Sequence, residues 1–155
     1  MATTASNKQP LLVDHVLHEA YNLDSAITST LDIAGTNTAQ LVINAVDTDG
    51  AILEYVYSIA RSTSAHTINL YLSTAVDYLR PTEGILVGQL TSGTSVGAVT
   101  TWTNMPGVLA PTAHVGADAT LKALYVPKGK ALWAARQSAN TVTDGPILGV
   151  QGGWY

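Results

Sequence analysis

A chain of 155 residues without cysteine is long enough for one domain with a single real core, and it has neither a disulfide framework nor a thiolate metal site. Charged residues make up 12% and hydrophobic residues 46%, against about 25% charged in an ordinary soluble domain, so the exterior is expected to be neutral hydroxyls and amides interrupted by apolar groups, as suits a surface partly covered in an assembly. The net charge of −4 argues against a nucleic-acid partner, since phosphate binding relies on clustered Lys and Arg.

Residues 1–10, MATTASNKQP, are small, polar and without periodicity, and read as an N-terminal arm that orders only against a neighbour. They contain no apolar h-region, so no secretory signal is expected. No apolar run approaches the roughly 18 residues of a spanning helix, so no membrane partner is expected either. Residues 11–155 read as one domain. Leu11 to Tyr21, LLVDHVLHEAY, fits a strand followed by a helical turn, or one short helix. On a helix, His15 and His18 share a face and can hold a metal with a carboxylate nearby. A solvated or interfacial face outweighs that reading, because no third ligand is fixed, and no metal is expected.

Ala26 to Ala34 and Ala39 to Val46 read as strands, the second with Leu41, Ile43 and Ala45 on one side. Asp47-Thr48-Asp49-Gly50 resembles the start of a calcium loop but lacks the later bidentate acid. Asp-Gly between β runs is a turn signal in its own right. In Ala51 to Ala60, Leu53, Tyr55, Tyr57 and Ile59 alternate with Glu54 and Ser58. His66 to Thr74 alternates most cleanly, with Ile68, Leu70 and Leu72 opposite Thr67, Asn69, Tyr71 and Ser73, as in an antiparallel sheet with one wet or partner-covered side. Arg80 to Gly84 reads as a turn, and Ile85 to Leu90 as a strand buried on both faces.

Gly93-Thr94-Ser95-Val96-Gly97 matches the G-x-S-x-G nucleophile elbow, which requires a helix directly after it and a later Asp and then His. Ala98 to Thr103, AVTTWT, is β-prone instead, and His114 precedes Asp118, so no catalytic residue is assigned. Asn104 to Ala119, with two prolines and two glycines, reads as a long surface loop. Leu121 to Gln137, LKALYVPKGKALWAARQ, reads as a β-hairpin about Pro127-Lys128-Gly129, with Leu121, Ala123 and Tyr125 on one face. Asn140 to Gly145 is a turn region and Ile147 to Gln151 a final strand. The terminal Trp154 and Tyr155 either close the core or dock on a neighbour.

About nine short strands separated by turn signals predict an all-β, two-sheet antiparallel sandwich of jelly-roll type. An immunoglobulin-like sandwich is the alternative, although its Cys-Trp-Cys core is absent. Three pieces of the second half, Gly84 to Gly88 before a Thr/Ser-rich loop, Leu124 to Gly129, and the closing Gly152 to Tyr155, resemble small bacteriophage virion proteins. The similarity spans roughly the last 70 residues and rests on turn chemistry. It implies a capsid decoration (cement) protein or a related head or tail component, and no catalytic residue to carry over. The acidic balance fits a place on the virion exterior, bound to the major capsid protein, and no cofactor is expected.

A homotrimer is expected, with partner contacts at Gln9, Pro10, Tyr71, Trp102, Met105, Trp154 and Tyr155. A tail- or fibre-associated module that binds carbohydrate is the second reading. In it, Trp102, Trp133, Trp154 and the tyrosines supply stacking platforms, against the plainer role of large aromatics in core or subunit contacts.

Overall fold

The computed structural model describes residues 15–24, 26–27, 39–77, 79, 83–102, 123–137 and 143–155. Among them there are ten strands and no helix: β1 (His15–Asn22), β2 (Ala26–Ile27), β3 (Gln40–Asn44), β4 (Gly50–Ile59), β5 (Thr67–Ser73), β6 (Ile85–Thr91), β7 (Val99–Thr101), β8 (Leu124–Pro127), β9 (Ala131–Gln137) and β10 (Ile147–Trp154). The first sheet runs β1-β10-β4, and two short strands share the far side of β4: β8 along Gly50 to Leu53 and β7 along Tyr57 to Ile59. The second runs β6-β5-β9, with β3 and β2 sharing the far side of β9. Counting each shared flank as one place gives four places per sheet, in the strand order of a jelly roll. All pairings are antiparallel except the two-residue contact of β2 with β9.

The inner faces form one core. Leu17, Leu53, Val56, Leu124, Val126, Leu148 and Val150 come from the first sheet, and Ile43, Ile68, Leu70, Leu72, Leu90 and Leu132 from the second. Each fully buried side chain of this size contributes about 1.5–3 kcal/mol. The expected alternation of β5 puts Ile68, Leu70 and Leu72 in this core. Its other face is not wet: Asn69 and Ser73 are buried too. A second cluster of Leu79, Ala131 and Trp133, joined by Leu41 and Tyr71, covers that side.

Three bulges break the simple alternation elsewhere. In β4, Tyr55 pairs with Gln151 and Leu53 with Gly152, so Glu54 is the extra residue. An inserted residue inverts the facing of everything beyond it. Ala51 and Leu53 point inward before the bulge, Val56 and Ser58 after it, and Tyr55 and Tyr57 turn outward, away from Leu53. In β3 the extra residue is Val42, which is buried beside Ile43 while Leu41 turns to the second cluster. In β6 it is Val87.

Four expectations need correction. Residues 15–22 form a strand, not a helical turn, because β1 pairs with β10 along its whole length. Ile85 to Leu90 is not buried on both faces: β6 is an edge strand, with Ile85 and Leu86 exposed. The final strand runs on to Trp154, because Gly152 permits an approach to the Ile52 carbonyl that any Cβ would block. The turn after Pro127 joins no hairpin.

In that turn the Lys130 amide donates to the Pro127 carbonyl at 3.1 Å, with Gly129 at φ 78°. β8 pairs with β4 in the first sheet, however, and β9 with β5 in the second. Two bonds to Ala45, from Gly129 N and to Lys130 O, both at 2.9 Å, steer the chain from one sheet to the other. Leu124 and Val126 form the buried face of β8, opposite to the expected one. The arm 1–10, most of the strand expected over Ala26 to Ala34, the start of the Arg80 turn and the Asn104 to Ala119 loop lie outside the described residues.

Candidate binding surface

The bulge at Glu54 sets Tyr55 and Tyr57 on the outer face of the first sheet. Their ring centroids are 5.7 Å apart and their planes 40° apart. Opposite Tyr57 stands Gly149 of β10, and the Tyr57 ring occupies the space that a Cβ there would fill. The glycine therefore lets the ring lie down on the sheet. One strand further out, His18 of β1 pairs with Gln151. The Gln151 side-chain amide lies 3.2 Å from His18 Nε2, and the Tyr57 hydroxyl lies 3.5 Å from the same nitrogen. The Gln151 NH2 can only donate, so in this contact His18 Nε2 accepts with its single lone pair and the ring N–H is on Nδ1, while the Tyr57 hydroxyl stands at the edge of hydrogen-bonding range. Val16, Ala20, Ile59, Val99 and Thr101, on the same outer face, carry no charge, and Val16 is 83% exposed.

A second surface is the β6 edge of the second sheet. Ile85 is 59% and Leu86 51% exposed, and no residue of β6 is charged. Sheet edges are commonly guarded by Lys, Pro or an inward charge. Here the guard is absent within the strand itself.

A third feature is a cleft of about 370 Å³ at one end of the sandwich, between Arg61 to Ser64, His66, Val96 and Asp144. The Arg61 guanidinium bonds Asp24 at 2.9 Å and reaches the carbonyls of Thr143 and Gly145. Arg136 points into the core at this end and donates to the carbonyls of Leu23 and Asp24, both at 3.2 Å. Burial pushes its guanidinium below the ordinary value, while Asp24 and Asp144 push it back up. His66 lies 3.2 Å from the Ser62 hydroxyl. Burial and then the Arg136 charge hold its imidazole below the usual histidine range, with Asp144 opposing. The arginines fasten the β1–β2 and β9–β10 connections, so this end is a structural clasp.

The expected partner residues that the structure describes do not form one patch. Trp102 and Trp154 pack half-buried against the main core, Tyr71 joins the second cluster on the other sheet, and Tyr155 is 41% exposed, edge-on to Tyr125. Gln9, Pro10 and Met105 lie outside the described residues. Trp133 is buried and donates to the Ala75 carbonyl at 2.9 Å.

His15 and His18, three apart on a strand, project from opposite faces. The described residues hold no group of three His, Cys, Asp or Glu able to bind a metal. Ser95 sits in a loop whose Gly97, at φ 84°, leads into β7 rather than a helix.

Sequence reasoning missed the cluster of His18, Tyr57 and Gln151, whose members are far apart in the chain. The outward Tyr-x-Tyr pair was its only local sign. No known protein family, characterised protein or solved structure matches this chain.

Proposed function

We propose that this protein is a bacteriophage virion structural protein, an outer capsid decoration (cement) protein that clamps neighbouring shell subunits as a homotrimer. The carrying observation is the β6 edge: an uncharged strand with Ile85 and Leu86 in solvent. Such an edge offers unpaired backbone groups beside apolar side chains, the chemistry by which a neighbouring strand extends a sheet. The sparse charge of the whole chain supports the same reading, as does the jelly-roll architecture, which recurs in viral shells. On this reading the protein works on the virion exterior, is assembled in the host cytoplasm, and performs no catalysis.

The test has two arms. Sedimentation of the purified protein should give a trimer, and the protein should rebind to phage heads stripped of it. Replacing Ile85 and Leu86 together by Lys should abolish one or both associations without unfolding the domain. Deleting residues 1–10 should weaken attachment and leave the fold intact. A monomer at high concentration with no affinity for stripped heads overturns the proposal.

A further inference from the structure

We propose that the outer face of the first sheet is a binding platform for a neutral saccharide, seated on the Tyr57 ring beside His18 and Gln151. A pyranose presents C–H faces that stack on an aromatic ring and hydroxyls that need donors and acceptors around its perimeter. Both halves of that chemistry are present. The Tyr57 ring is laid against the sheet over Gly149, so its free side is presented broadside rather than edge-on. Tyr55, inclined at 40° and 5.7 Å away, supplies a second facet at about the spacing of adjoining sugar rings.

The hydrogen-bonding groups stand at the rim of this aromatic surface. Gln151 and the Tyr57 hydroxyl converge on His18 Nε2. That arrangement leaves the Nδ1 proton of His18, the Gln151 carbonyl oxygen and the remaining capacity of the Tyr57 hydroxyl for a ligand. Gathering three polar heads in one place before binding lowers the ordering cost of using them.

Charge selects the ligand class. His18, Tyr55, Tyr57 and Gln151 are joined on this face by Val16, Ala20, Ile59, Val99 and Thr101, with no Lys or Arg among them. The one charged residue of β4 is Glu54 at the bulge, an acid. Among the described residues of this face a phosphate or an acidic sugar finds no Lys or Arg, whereas a neutral hexose or N-acetylhexosamine needs none. The polar chain runs from Tyr57 on β4 past Gln151 on β10 to His18 on the edge strand β1, so a ligand stacked on the tyrosine ring reaches it from one side. This inference stands apart from the assembly role and uses different residues.

The experiment is a calorimetric and NMR titration of the intact protein with neutral hexose and N-acetylhexosamine oligosaccharides. Binding should appear with at least one, shifting the Tyr55, Tyr57 and His18 ring signals. Tyr57→Ala should weaken it at least about tenfold, and Tyr57→Trp should retain it. Gly149→Ala, which lifts the ring while keeping the tyrosine, should weaken it as well. Should that variant misfold, His18→Ala provides the second reading.

The Ile85 and Leu86 lysine variant should bind saccharide unchanged, which keeps failure of the platform distinct from failure of the assembly role. The platform is refuted if no neutral saccharide binds, or if Tyr57→Ala leaves binding intact. It is equally refuted if Tyr57→Ala breaks the oligomer instead, which would make the face a subunit contact.

Discussion

Trp133 and Tyr57 stand on the central strands of the two sheets, both facing away from the main core, and they meet opposite fates. Trp133 is only 4% exposed, roofed by Leu79 and tied through its indole nitrogen to Ala75. Tyr57 lies flat on Gly149 and stays partly exposed, next to a Tyr55 that is 42% exposed. The second sheet recruits the connection after β5 to cover its outer face, whereas the first leaves aromatic rings and polar heads accessible. The second sheet thus serves mainly as a keel and the first as a display surface. An outward aromatic residue is neither core nor binding site by its type; the neighbouring connection decides which.

The contrast can be broken at the keel first. Trp133→Ala removes a buried indole and orphans the Ala75 carbonyl, and should cost about 3–5 kcal/mol in urea unfolding. Next, Gly152→Ala drives a Cβ into the Ile52 carbonyl, a backbone atom that cannot swing aside. It should destabilise by about 1–3 kcal/mol, with lost amide protection along β10 and β4. Tyr57→Ala on the display face should cost about 1 kcal/mol or less, despite deleting a ring of similar bulk. A loss as large as that of Trp133→Ala would erase the distinction between the sheets.

The smallest effect concerns the end clasp. His66 is held below its ordinary value by burial and Arg136, so the unfolded chain takes up its proton first as pH falls. The stability from its neutral form is complete above pH ~6.5, the unfolded value, and is lost as pH drops toward the lower folded value. Thermal melts should therefore show a shallow fall in Tm below that pH, and His66→Asn should flatten it.

Much of the strand content was legible because alternation is a local signal: β5 reads directly, and the Asp-Gly turn opens β4 as expected. What the residues hid was partnership. The Pro127 to Lys130 turn has hairpin chemistry, yet turn chemistry fixes only the local reversal and not which strands the flanks will join. Bulges at Val42, Glu54 and Val87 each displaced the facing of later residues by one, and nothing in the residue types announces them. For the same reason the surface formed by His18, Tyr57 and Gln151 was invisible. It depends on register across three strands, and on a glycine whose importance lies in what occupies its missing side chain.

The topology also bears on how such a chain can change. The flank of β4 is shared by β7 and β8, and that of β9 by β2 and β3. In each case two stretches distant in the chain lie end to end along one central strand and together complete a single border row. Each half of such a row is held by its own ladder. One half can therefore fray from the sheet while the other keeps the central strand covered, so the two borders open in portions rather than as wholes.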